Sequence, residues 1–286
     1  ITPPDKLLKI GGAEIEVFFA PGVAGEGYAA NHQDVIEWIE RSANAVVDYF
    51  QVFPVKNLAI SIDDGAGARV GGTAYHGKNP LLSIRINRRM SADFLYDDWV
   101  MVHEMVHLSF PPLRRSHNWL LEGLATYVEP IVRVRAGIMK EEKAWRWLIK
   151  GTPQGLPKAG DQGLDYTPTW GRKYWGGAVF FLLADIQIHQ QTNNKYGIEH
   201  ALQAIQAAGG SMQLENTWPV TKALAIGDKA TGTNVLVTLY EQMKNKPVMT
   251  DLGAIWKNLG VSLSSGSVSF DDNASQSSIR KSLIKN

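Results

Sequence analysis

The sequence predicts an α+β fold in which a first part mixes β-sheet with helix and a longer remainder is mainly helical. Two observations carry this expectation. Before residue 92, short runs rich in β-branched and aromatic residues are bounded by Gly, Pro, Asn or Asp. From Asp93 onward, apolar residues recur at three- and four-residue spacing. The expected division is a sheet-containing lobe over residues 1–92 and a helical lobe over 93–286, together one compact unit.

In order along the chain, residues 14–20 (EIEVFFA), 58–62 (LAISI) and 81–87 (LLSIRIN) read as strands. Between the first two, Val35, Ile36, Ile39, Ala43, Val46, Val47 and Phe50 share one helical face over 34–50. Asn31 is the expected N-cap and Pro54 the stop. Residues 64–72 are glycine-rich but lack a strand-turn-helix phosphate signature, so they read as a turn or mobile loop. Helices are expected over 93–108, 119–129, 141–149, 174–191, 198–207 and 233–244. The irregular 150–170 is too long for a simple connector and reads as a lid or cleft wall. Residues 262–278 are rich in Ser, Gly and Asp, yet Phe270, Ile279 and Leu283 predict a packed end.

With 29 basic and 28 acidic side chains the net charge is +1, which gives no electrostatic excess for tracking nucleic acid. The longest apolar stretch, 178–184, ends at Asp185, so membrane insertion is not expected either. Having no cysteine removes disulfides, thiolate ligands and thiol nucleophiles, so any catalytic metal must be held by His, Asp or Glu. The start ITPPD has neither an initiator Met nor a basic-then-apolar leader and reads as a processed or trimmed end. Such an end is compatible with export to a periplasm or the medium, with no compartment assigned.

The chemistry concentrates in His103-Glu104-Met105-Val106-His107, an H-E-x-x-H motif inside an expected helix. Residues four apart lie one turn apart on one face, so both imidazoles can reach a single cation. Glu104 projects beside them as a base that need not ligate. At this composition a chance match is about one per cent. A catalytic zinc takes three protein ligands and leaves a position for water. Glu122, in the largely apolar WLLEGLATYVE, is the expected third, with His117 and Glu129 as competitors; a metzincin pattern would need His at 113, which is Leu113.

HEMVH followed by WLLEGLATYVE resembles the zinc signature of the gluzincin metallopeptidases. The resemblance is to the aminopeptidase N and leukotriene A4 hydrolase group and to the glycyl aminopeptidases. Lys173-Tyr174-Trp175-Gly176-Gly177-Ala178 resembles that group's tyrosine motif, and the three motifs span about residues 95–190. The resemblance implies a thermolysin-like catalytic domain, with a mixed-sheet lobe followed by a helical lobe. It implies one zinc ion on His103, His107 and Glu122, with Glu104 as general base and Tyr174 as transition-state residue. Glu129 would orient a ligand histidine from behind, unless it is a solvent-facing residue at a helix end.

It further implies a peptide substrate and an aminopeptidase-like activity, with no oligomeric state assigned. The group's Gly-x-Met-Glu-Asn segment, whose Glu holds the substrate amine, corresponds here to Gly71–Gly77 (GGTAYHG), which has no Glu. A zinc endopeptidase of the same fold, or a non-catalytic binding protein on a peptidase scaffold, therefore stays open. The strand 81–87 is the expected edge against which an extended peptide lies, and His76 is a candidate to face the cleft. Trp145, Trp147, Trp170 and Trp175 are expected in the core, and His32, His189 and His200 are expected to have no metal role.

Overall fold

The computed structural model describes residues 3–167 and 169–285. Ile1 and Thr2 of the expected trimmed start, Pro168 of the 150–170 segment, and Asn286 lie outside the described residues. The protein is mixed α/β and divides into two compact units, Ile1–Pro112 with Gly210–Thr217, and Leu113–Gly209 with Trp218–Asn286.

The first unit is built on β1 (Lys6–Ile10), β2 (Ala13–Phe19), α1 (His32–Phe50), β3 (Asn57–Asp64), β4 (Gly71–Tyr75) and β5 (Leu81–Ile86). The sheet order is β1-β2-β3-β5-β4. Its centre, β2-β3-β5, is parallel, and both edges are antiparallel. Period-two burial explains the centre: Ile15 and Val17, Leu58, Ile60 and Ile62, then Leu82, Ile84 and Ile86 are all buried. The parallel step from β2 to β3 is made through α1. Its N-cap Asn31 accepts from Asp34 N–H, and Asp34 accepts from Asn31 N–H, a reciprocal capping box. The helix ends at Gln51 in the left-handed region (φ 68°), ahead of Pro54.

Three expectations change here. β1 is a strand too polar to read as one, and it pairs with β2 across Gly11-Gly12, both at positive φ (57° and 84°), as a two-residue hairpin requires. The strand over 81–87 is not the edge, because β5 pairs on both sides. The edge falls to β4, whose Gly-Gly start hid its strand character. The single helix expected over 93–108 is two, α2 (Ala92–Asp97) and α3 (Val100–His107). Asp98 between them is extended, and its Oδ1 accepts from Val100 N–H at 2.7 Å.

The second unit carries α4 (Asn118–Arg135), α5 (Glu141–Gly151), α6 (Trp170–Gln191), α7 (Ile198–Ala207), α8 (Val220–Thr231), α9 (Val235–Met243), α10 (Leu252–Leu259), β6 (Val261–Ser264), β7 (Ser267–Phe270) and α11 (Ser277–Ile284). α4 and α6 meet backbone to backbone: a Cβ on Gly123 would lie 2.2 Å from Gly177 Cα, and one on Gly177 would lie 2.1 Å from Trp119 O. α4 continues through Pro130, past the end expected at 129.

The 150–170 segment is tied down within this unit. Arg172 Nε donates to Asp161 Oδ2 at 2.8 Å and its Nη1 donates to Gly155 O, while Trp119 Nε1 donates to Asp165 Oδ1 at 2.8 Å. The C-terminal stretch packs as expected, with Ile279 and Leu283 buried and Arg280 donating to Leu259 O and Gly260 O. Among the described residues no helix is long and apolar enough to cross a membrane.

Candidate metal centre

In the first unit α3 packs on α1 and β4 and is buried on all sides, because its apolar Val100, Met101, Val102, Met105 and Val106 leave no exposed face. His103 and His107 are 3% and 6% exposed and lie one turn apart, with ring centroids 4.9 Å apart and planes at 88°. A ring nitrogen of one lies within 4.8 Å of a ring nitrogen of the other. Zinc-nitrogen bonds are about 2.0–2.1 Å, so rotation of the two rings toward each other would bring both nitrogens onto a single ion. The indole of Trp99 meets the His103 ring edge to face at 4.9 Å and limits how that ring can turn.

Glu104, 7% exposed, is held from the strand side. A Cβ on Gly72 would lie 2.5 Å from Val100 Cγ1, 2.6 Å from Glu104 Cγ and 2.8 Å from Glu104 Oε1. The missing side chain at the start of β4 is therefore the space that the Glu104 side chain uses. Two buried imidazoles beside a buried carboxylate, in a chain without thiols, match the donor chemistry of a zinc site.

In the second unit Glu122 is half-buried in the second turn of α4, with Asn118 Nδ2 at 3.5 Å from its Oε1. Tyr174 is half-buried and stacks on Trp170, centroids 4.6 Å apart. α6 starts four residues before it, so Tyr174 lies in the second turn instead of at the start.

The competitors for the third ligand are otherwise engaged. His117 Nδ1 lies 3.0 Å from Asp165 Oδ1. Glu129 is neither at a helix end nor in solvent: it is 3% exposed and its Oε1 accepts from Arg133 Nη1 at 2.9 Å. His76 is exposed, with Nδ1 3.1 Å from Leu214 O. Trp145 and Trp175 are core residues, but Trp147 and Trp170 are 42% and 58% exposed, against expectation. Sequence reasoning also passed over a second group of ligand-type side chains, Asp185, His189 and Glu199 in the second unit. The local signal for it is the Asp185-x-x-x-His189 spacing on α6, which overturns the expectation that His189 lacks ligand spacing, while Glu199 comes from the next helix.

No protein-family profile matches the chain, and no curated protein does. Its fold has counterparts among solved structures. An aminopeptidase N family protein from Idiomarina loihiensis aligns with TM-score 0.65 and 15% identity over 90% of this chain and 49% of that one. An M1 zinc metallopeptidase from Deinococcus radiodurans aligns with TM-score 0.51 and 13% identity over 87% of this chain and 52% of that one. A two-domain M1 zinc metallopeptidase variant bound to L-arginine aligns at 0.52 and 14%, over 86% and 52%. The chain thus spans about half the length of these structures, and over that span its fold is similar to that of the M1 zinc metallopeptidases.

Proposed function

We propose that this chain is a zinc-dependent peptidase, aminopeptidase-like and with a thermolysin-like site, in which His103, His107 and Glu122 hold one zinc ion. The observation that carries the reading is the buried face of α3, where two imidazoles one turn apart flank a carboxylate that Gly72 makes room for. The M1 likeness of the fold supports it, and Glu122 follows from the sequence signature. Bound zinc supplies a Lewis acid and acidifies a water to a pKa of about 7. Glu104 takes the proton from the attacking water and delivers it to the leaving amine, work worth about 10²–10⁴ in rate. The Tyr174 phenol donates a hydrogen bond to the scissile carbonyl oxygen as charge builds there, worth about 3–4 kcal/mol by analogy with oxyanion-hole donors.

One of the Deinococcus radiodurans structures holds a Tyr-Ser-Ala substrate, and a short free-amine peptide is the substrate class proposed here too. A second reading, endopeptidase, rests on Gly71–Gly77, which offers no carboxylate to a free amine. One experiment tests both: metal content, and mass-spectrometric mapping of cleavage in a peptide pool with free and acetylated N-termini. Glu104→Gln should keep zinc and lose turnover, and Glu122→Gln should lose zinc. Trimming only of free N-termini establishes the aminopeptidase; internal cuts establish the endopeptidase. A Glu104→Gln chain as active as the parent refutes the mechanism.

A further inference from the structure

A second cluster of ligand-type side chains lies wholly within the second unit, and it shares no residue with the candidate zinc ligands His103, His107 and Glu122. Asp185 and His189 stand one turn apart on α6, 2% and 4% exposed, and Glu199 is the second residue of α7, 9% exposed. Each carboxylate is fixed by other groups. Tyr127 donates to Asp185 Oδ2 at 2.9 Å, Ile198 N–H donates to Asp185 Oδ1 at 2.8 Å, and Arg135 Nη2 donates to Glu199 Oε1 at 3.0 Å.

The atoms left over point at one another. His189 Nε2 and Glu199 Oε2 are fully buried and have no hydrogen-bond partner among the described residues; Asp185 Oδ1 lies 3.5 Å from Nε2. One ligand atom from each residue lies within 4.8 Å of the other two.

They converge on the bare face of Gly197. A Cβ there would lie 2.3 Å from Glu199 Oε2, 2.7 Å from His189 Nε2 and 3.1 Å from Asp185 Oδ1. Only a glycine lets these three atoms close in together, because any side chain at 197 would drive them apart. The local charge asks for a cation, because two buried carboxylates face one guanidinium.

We propose that Asp185, His189 and Glu199 form a metal site for one divalent transition-metal ion of the zinc type, bound through His189 Nε2 and the two carboxylates. An imidazole in the donor set favours zinc and its later transition-metal neighbours over magnesium and calcium. The ion would clamp α6 to the start of α7, and the proposal is independent of the peptidase reading.

The test removes the other candidate first. His103→Ala/His107→Ala chain, stripped with chelator and then given zinc or cobalt(II), is expected to bind one ion. Its thermal midpoint should rise by about 5 °C at a hundredfold excess over Kd. Adding His189→Gln should abolish both the bound ion and the rise while the far-ultraviolet circular dichroism is unchanged. No metal on the folded double variant at zinc up to about 1 mM overturns the proposal, as does equal binding with His189→Gln. A midpoint that ignores zinc but falls as pH rises assigns the cluster to a shared proton, and likewise overturns it. Should the double variant not fold, the parent and His189→Gln are compared directly, and an unchanged metal count refutes the site. Loss of peptidase activity has no bearing on either count.

Discussion

Replacing Gly72 by alanine isolates what the β4 glycine does. Its φ is not in the left-handed region, so alanine fits the backbone there and the whole effect comes from the added carbon. That carbon would sit 2.5 Å from Val100 Cγ1 and 2.6 Å from Glu104 Cγ. Comfortable carbon contacts are about 3.5–4.0 Å, so both side chains must retreat by about 1 Å. They lie on consecutive turns of the same face of α3, a helix buried all round, so no easy direction of escape exists. Overpacking of this kind costs about 1–3 kcal/mol, and a 1 Å displacement of a catalytic group costs about 10²-fold in rate.

The neighbouring Gly71→Ala is the control, because its Cβ would meet only the exposed Arg85 guanidinium, at 2.9 Å, which can swing away. The assay is kcat on a cleaved peptide together with the thermal midpoint and zinc content of the parent, Gly71→Ala and Gly72→Ala. Gly72→Ala is expected to keep zinc, lose about 10²-fold in kcat and melt lower, with Gly71→Ala near the parent in all three. A Gly72→Ala chain with parental kcat and midpoint, or a Gly71→Ala chain equally impaired, would sink the reasoning.

The remaining expectations concern the second unit and the metal. Gly177→Ala, which would put a carbon 2.1 Å from Trp119 O, should lower stability by about 3 kcal/mol in denaturant melts, more than any surface Gly→Ala change. Arg172→Met leaves the half-buried Asp161 without its guanidinium and should cost about 1–3 kcal/mol; Asp161→Asn in the same background should recover part of it. Burial raises the Asp161 carboxyl, but the Arg172 and Gly163 hydrogen bonds outweigh it and the net shift is downward. Its contribution to stability is therefore full above the unfolded carboxylate value of about 3.9 and lost as pH falls through the lower folded value. Acid melts of the parent and Asp161→Asn should diverge above that range and converge below it. Chelator should abolish turnover, and zinc should restore it in the parent but not in His103→Ala.

Local periodicity was enough for most of the fold. α1 announces itself by seven apolar residues on one face and by Asn31, and β3 and β5 by alternation, because these elements bury one face and their sequence records which. β1 and β4 are edge strands that pair with the next strand along the chain, β2 and β5, so it is the neighbour and not their own residues that makes them strands. Neither Lys-Leu-Leu-Lys-Ile nor Gly-Gly-Thr-Ala-Tyr carries enough of its own preference to be read alone. The break at Asp98 was hidden for a related reason: one side chain capping Val100 N–H outweighs an unbroken apolar pattern.

The candidate site divides in the same way. The sequence by itself determined the residue types and the one-turn spacing of His103, Glu104 and His107, because a helix converts spacing directly into a shared face. It also offered Glu122 as the third ligand from its apolar surroundings, and Tyr174 through a resemblance, which is a statement about motif order and not about position in space. Only the tertiary structure decided that Glu129 is buried and that Gly72 is the space beside Glu104. Only it decided that Gly197 opens a point where Asp185, His189 and Glu199 converge. Each of these depends on what packs across from a residue. A chain read in one dimension records its own faces but not the atoms that another element brings against them.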